Sequence, residues 1–188
     1  MLIHDDETFE GIIYAGKVTR NEEFQSCTFK NCDLSNSSFI YNKFLDCTFI
    51  GCNLSLVHLG YSTLNNAVFK SCKILGVNFK ECQDFLFSVQ FENCILDYAS
   101  FMDKKMPKTK FINSSLKEVN FSNTMLSGSL FDQTDLSGTV FNRTDLTAAN
   151  FVTAYNFDID PELNNVKKAA FSTQGLQGLL LRHQLKVV

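Results

Sequence analysis

The residues able to do chemistry in this chain are seven cysteines, three histidines and twenty carboxylates. Their spacing argues against most of the chemistry open to them. Cys-x₄-Cys occurs twice, at Cys27–Cys32 and Cys47–Cys52, and the other thiols are Cys72, Cys82 and Cys94. Thiolate pairs make a zinc site only when further Cys or His ligands converge on them, and His4, His58 and His183 are scattered. No Ser/His/Asp or Cys/His constellation, glycine-rich phosphate loop or HExxH motif is present. Glycoside hydrolysis needs two facing carboxyl groups, and here the acids are dispersed. The chain reads as non-catalytic, with no cofactor and no metal.

A period of five explains where these residues fall. From Phe24 every fifth residue is apolar: Phe24, Phe29, Leu34, Phe39, Phe44, Phe49, Leu54, Leu59, Leu64, Phe69, Ile74, Phe79. The register slips by two and resumes at Phe91, running through Leu96, Phe101, Met106, Phe111, Leu116, Phe121, Leu126, Phe131, Leu136, Phe141 and Leu146 to Phe151. Two residues before each of these 25 positions lies a second slot, small or β-branched in 22 cases; Glu22, Asn42 and Lys104 are the exceptions. All seven cysteines fall on this small register, Cys82 by continuing its spacing five residues after Val77, so they are expected to be free, buried thiols, with Cys32, Cys52 and Cys72 stacked as a ladder. A period of five is neither strand nor helix. It describes a short segment with two inward side chains followed by a turn, and the Asn, Ser, Gly and Asp residues between suit such turns.

The pattern resembles the pentapeptide-repeat family, through near-consensus copies such as CDLSN at 32–36, CNLSL at 52–56 and TDLSG at 134–138. The resemblance implies an all-β fold, a right-handed quadrilateral β-helix with four pentapeptides per coil and a 20-residue stacking period. In the second half, Phe and Leu/Met alternate. Phe91, Phe111, Phe131 and Phe151 should therefore stack on one side, and Phe101, Phe121 and Phe141 on the opposite one. Six coils are expected, with residues 1–23 as N-terminal cap and entry strand, 24–151 as the repeat, and 152–188 as last coil, short C-terminal α-helical cap and dimerisation strand.

Two irregularities stand out. Residues 80–90 break the register, so a bend belongs there, with Phe85, Leu86 and Phe87 either plugging it or exposed. Residues 102–110 place Lys104 in an inward slot and Pro107 after Met106, which should swing the chain outward and display Lys104, Lys105, Lys108 and Lys110. At the C-terminus, Asp160-Pro161-Glu162 looks like a helix start. Ser172 or Thr173 can cap a further short helix with a stripe of Leu176, Leu179 and Leu180. With Leu181, Leu185, Val187 and Val188 these leucines exceed what a cap needs, which suggests a homodimer through this end.

Within the family the chain looks most similar to the gyrase-protecting group: the Qnr-type quinolone-resistance proteins and the immunity proteins against albicidin and microcin. CNLSLVHL at 52–59, CKILGVNF at 72–79 and FDIDPELNNVKKAAFS at 157–172 carry that likeness. It implies a dimeric rod that mimics duplex DNA on a type II topoisomerase, DNA gyrase or topoisomerase IV, with no direct contact to nucleic acid. The candidate partner-binding acids outside the inward slots are Glu81, Glu92, Asp97, Asp103, Asp132, Asp135 and Asp145, joined by Lys104, Lys105 and Lys108. Charge is a departure from this picture. Net charge is only −3, and residues 104–188 carry 10 basic and 7 acidic side chains. An adaptor module binding another protein is the rival reading. No apolar run is long enough to span a membrane and no secretory signal precedes the repeat, so a cytoplasmic location is expected.

Overall fold

The computed structural model describes residues 2–185. The chain winds as a β-solenoid of about eight turns, two more than the uninterrupted repeat suggested. Each coil has four faces, numbered here in chain order from His4. All strand pairing among the described residues is parallel and in register between successive coils. Face 2 carries a nine-stranded sheet from Thr8–Glu10 to Ala170–Phe171. Face 1 begins as a four-stranded sheet from Leu2–Asp5 to Thr63–Asn65. Faces 3 and 4 are held mainly by isolated bridges such as Asp33↔Asn53 and Ser100↔Asn120. Residues 2–5 pair with 22–25, so the first coil starts at the beginning of the described chain.

The 25 central residues are all buried, none more than 6% exposed, so the five-residue register is the core. Phe91, Phe111, Phe131 and Phe151 stack face to face at centroid spacings of 5.4, 5.0 and 4.5 Å. Across the interior, Phe101, Phe121 and Phe141 stack at 5.3 and 5.5 Å. The two columns meet edge to face, as in Phe111–Phe121 at 5.7 Å, the arrangement that ring quadrupoles favour. The face 2 column extends beyond the repeat at both ends, from Phe9 over Phe29 to Phe171 over Phe151.

The small slot has a hydrogen-bonding reason for its chemistry. Its side chain donates to the carbonyl of a central residue one coil earlier. Cys32 donates to Phe9 O at 3.2 Å, Ser62 to Phe39 O at 2.7 Å, Thr124 to Phe101 O at 2.8 Å and Thr144 to Phe121 O at 2.8 Å. Asn42 and Asn164 make the same bond through their side-chain amides, to Thr19 O at 3.1 Å and Phe141 O at 3.0 Å. The corner residue two after nearly every centre adopts positive φ, for example Asn36 and Asn113 at 53° and 48°; Glu81 after Phe79 and Thr153 after Phe151 are the exceptions, and Asn tolerates this region better than most side chains.

The register slip is one coil of 22 residues: Ala67 pairs with Val89, whereas neighbouring coils pair at 20. The three residues that could plug it divide. Phe87 is buried, while Phe85 and Leu86 are 76% and 57% exposed.

The outward bulge expected at 102–110 does not form. Met106 N–H donates to Met125 O at 3.0 Å and Lys108 N–H to Ser127 O at 2.9 Å, so the ladder continues through it. Pro107 occupies the first corner position. There the residue one coil later but one, Thr147, spends its N–H on its own Asp145 side chain and not on the ladder. A missing donor costs nothing at that position.

Lys104 is likewise not displayed; it is 1% exposed. The longer coil opens room above Cys82, and the lysine side chain fills it. Its Nζ donates to Cys82 O at 2.5 Å and Asp84 Oδ1 at 2.7 Å, and lies 5.0 Å from the Phe87 ring centroid. A buried ammonium persists only with such partners.

The C-terminal cap is helical, but as 3₁₀ turns at Gln174–Leu179 and Leu181–His183 and not as an α-helix. A Cβ on Gly178 would lie 2.4 Å from Phe157 O, and one on Gly175 2.9 Å from Phe157 Cζ. The glycines let the segment press flat on Phe157, and two glycines in six residues weaken an α-helix. Ser172, not Thr173, supplies the cap, its Oγ accepting from Gly175 N–H at 3.0 Å. The helix start at Asp160-Pro161-Glu162 is one turn only, with Asn164 N–H donating to Asp160 O at 3.1 Å before the coil resumes at Asn165.

Phe121 is fully buried between Phe101 and Phe141, so Phe121→Ala should cost about 3–5 kcal/mol in denaturant titration; a loss below about 1 kcal/mol would mean that the stack does not carry the core. Asp84→Ala should cost about 1–3 kcal/mol, moderated because Asp84 is solvent-exposed, by leaving the Lys104 charge with a carbonyl alone. Adding Lys104→Met to that variant should recover most of the loss. An unaltered denaturation midpoint for Asp84→Ala would show that solvent already reaches the ammonium.

Candidate functional site

The face on which each candidate acid falls follows from the coil register. Glu92 and Asp132 lie in one column on face 2, two coils apart with Ile112 between them. Asp97 and Asp135 belong to face 3, where Lys117 joins them: its N–H donates to Asp97 Oδ1 at 3.0 Å and its Nζ lies 3.4 Å from Asp135 Oδ2. Glu81 and Asp103 sit at the corner after face 4, and Asp145 is on face 1. The seven acids therefore form no single stripe. Four of them, Glu92, Asp97, Asp132 and Asp135, occupy two adjacent faces in two rows.

Three of these carboxylates, Asp97, Asp135 and Asp145, also accept a backbone N–H. Asp135 accepts from Ser137 N–H at 3.1 Å and Ser137 Oγ at 2.6 Å, and Asp145 does the same with Thr147 at 3.1 and 2.6 Å. Burial works against the charge on Asp135, but the bonds from Ser137, Asn156 and Lys117 outweigh it and lower its pKa. Asp103 is held below the usual carboxylate range by Lys80, 2.7 Å away, and by Asn123. Glu92 pairs with Lys70 at 3.3 Å.

Of the basic candidates, Lys105 and Lys108 are exposed, on face 1 and at the corner after it. Lys104 is buried and cannot touch a partner. All seven thiols are free and buried, and Cys94 continues the stack of Cys32, Cys52 and Cys72. Burial pushes Cys47 and Cys82 up to about 12, which keeps them as thiols and not as nucleophiles, and Cys47 Sγ donates to Phe24 O at 3.2 Å. Among the described residues no group of His, Cys, Asp and Glu is placed to hold a metal ion, and no helix is long and apolar enough to cross a membrane.

At the C-terminal end Leu176, Leu180, Leu181 and Leu185 are exposed and line the outer side of the cap, whereas Leu179 packs inward on the core. Val187 and Val188 lie outside the described residues.

The sequence reading missed the exposed tyrosines. Tyr41 and Tyr61 stack at 4.9 Å on one corner, both at positive φ, and Tyr98 occupies another such corner. The signal available was the departure from Asn and Gly at positions that need positive φ. The open mouth of the first coil was also missed.

Solved structures with this architecture include two trypsin-treated forms of QnrB1, a plasmid-mediated fluoroquinolone resistance protein. One matches over 100% of this chain and 99% of its own, with a TM-score of 0.65 and 18% identity. The other covers 96% of this chain and 100% of its own, with a TM-score of 0.67 and 18% identity. At that identity the likeness is one of fold. Among curated proteins no sequence matches. The model of the pentapeptide repeat region matches residues 22–84 and 84–154. With that match spanning most of the chain and the five-residue register forming most of the core, the protein belongs to the pentapeptide-repeat family.

Proposed function

We propose that this rod docks, as a dimer, in the DNA-binding groove of a type II topoisomerase and protects the enzyme from poisons that act there. The observation that carries the reading is the end-to-end correspondence of its fold with a fluoroquinolone resistance protein, 100% of this chain against 99% of that one. Rod geometry supports it. Coils about 4.8 Å apart hold side chains in straight lines along a face, as phosphates run along a duplex. The acids best placed are Glu92, Asp97, Asp132 and Asp135, because two adjacent faces can enter one groove together. Glu81, Asp103 and Asp145 face other directions. Attraction of these acids to a basic groove should weaken as salt rises.

The same reading takes the C-terminal end as the dimer junction, with Leu176, Leu180, Leu181 and Leu185 as its apolar surface. A second reading has a specific observation behind it. Phe85 and Leu86 project from a loop that Lys104 pins, and an exposed aromatic on a rigid support is the side chain that anchors protein interfaces. An adaptor for a different protein partner would use that finger.

Supercoiling by purified gyrase, with and without a quinolone or albicidin, tests the first reading. Wild-type protein should restore supercoiling and compete with DNA at low salt. Replacing Glu92 by Gln and Asp97, Asp132 and Asp135 by Asn should abolish protection, whereas the same treatment of Glu81, Asp103 and Asp145 should spare it. No rescue and no competition by the wild-type protein would favour the adaptor, for which Phe85→Ala is the diagnostic variant. In sedimentation at micromolar concentration the intact chain should run as a dimer, and Leu176→Asp combined with Leu181→Asp as a monomer. A wild-type monomer under those conditions removes the dimer from the reading.

A further inference from the structure

The two ends of the ring stacks are treated differently. At the C-terminal end the glycine-bearing 3₁₀ segment lies on Phe157. At the N-terminal end nothing among the described residues covers the first coil. Inside the columns each ring has a ring or an aliphatic side chain on both faces. His4, Phe9 and Tyr14 are the last members, each with a neighbour on one side only. His4 stacks on Phe24 at 4.7 Å with planes 6° apart, Phe9 on Phe29 at 4.9 Å, and Tyr14 leans over Phe39 at 5.7 Å. On face 4 Thr19 stands where a ring would, and Tyr14 leans into that place, its hydroxyl on Thr19 Oγ1; a cavity of about 230 Å³ remains at this end, lined by these rings with Leu2, Ile12 and Glu22. That is larger than the roughly 150 Å³ known to admit a benzene molecule. It suits one or two fused rings.

Charge selects among the ligands of that shape. Residues 2–23 carry six carboxylates against Lys17 and Arg20, a net −4 with His4 neutral. Glu7 and Glu22 each place a carboxylate oxygen 3.2 Å from a ring nitrogen of His4. Even with the imidazole protonated, one negative charge is left over at that point. Neither carboxylate has a lysine or arginine partner among the described residues, unlike Glu10 with Lys30 and Glu23 with Lys43. The structure also shows an open ring accepting a cation: Lys17 Nζ stands 5.3 Å from the Tyr14 centroid, within cation–π range. A second copy is the less favoured occupant, because meeting end to end would set two acidic mouths, each with Glu7 and Glu22 unpaired with any lysine or arginine among the described residues, against each other.

We propose that the N-terminal mouth binds a planar aromatic cation of one or two rings, stacked on Phe9 and His4 with its charge at Glu22. The site is independent of any topoisomerase contact, since it lies at the end of the rod and not on its faces.

Calorimetric titration of the full chain with N-methylquinolinium, whose charge is fixed, tests this. One molecule should bind per chain. Uncharged quinoline should bind more weakly and naphthoate not at all. Glu22→Gln and the volume-conserving Phe9→Leu should each weaken binding about fivefold or more, with melting curves that confirm folding. Tyr155→Ala, far along the rod, should leave binding unchanged. Equal binding of naphthoate, or affinity unmoved by both mouth variants, overturns the proposal. So does absence of binding, and if Ile13→Glu then lowers the sedimenting mass, the mouth is covered by another copy of the chain.

Discussion

The rod rests on one alignment: a short side-chain donor in the narrow slot of one coil meets a central carbonyl of the coil before it. Ser62 with Phe39 and Thr144 with Phe121 show the geometry. A Leu or Phe in that slot would collide with the neighbouring ring and offer no donor. A longer polar chain would need a place for its charge. This bond type accounts for Cys, Ser and Thr at many of the slots; others, such as Ser37 and Thr109, donate to a carbonyl three residues back in their own coil, and no buried side-chain nitrogen or oxygen among the described residues lacks a partner. It also keeps each coil dependent on its immediate neighbours alone, so stability accumulates coil by coil.

The 22-residue coil shows what happens when the alignment is disturbed. Two additional residues widen face 1 locally, and the slot above receives the one side chain long enough to span the opening. Lys104 thereby does for Cys82 O what Thr and Ser do for other carbonyls, and delivers its charge to Asp84 at the surface. The insertion and the lysine are a matched pair, and each alone would leave a void or a buried unpaired charge. Phe85 and Leu86 are outside because Phe87 has already taken the interior position.

Periodic features were legible in the sequence and aperiodic ones were not. Phe91, Phe111, Phe131 and Phe151 could be placed on one side from their numbers, because every coil of 20 repeats the same geometry. The scatter of the acids was legible by the same arithmetic: Glu92 and Asp132 differ by two coils, Asp97 and Asp132 by no whole number of them. Lys104 and Pro107 were misread because each was judged against its own pentapeptide. Lys104 depends on space created by residues 22 positions away, and Pro107 on whether a corner N–H is used at all. The cap came out as 3₁₀ because Gly175 and Gly178 answer to Phe157, a contact outside any repeat.

The ends of a solenoid carry unpaired backbone groups, a standing invitation to add another strand. Here the closed end solves this with packing: Ile159 N–H donates to Gly178 O at 2.9 Å, and Arg182 bridges Asp160 and Glu162. The open end solves it with charge. Asp5, Asp6, Glu7 and Glu10 stand on or beside the first two strands, so an approaching copy meets its own sign before its edge can pair. Charge of that kind repels another acidic coil but does not exclude a cation, and it leaves the terminal ring faces uncovered. A helical cap would have hidden the rings along with the strands. Among the described residues, acidic edges oppose stacking of copies at one end while glycine-mediated packing closes the other, so the two ends of the rod differ in chemistry.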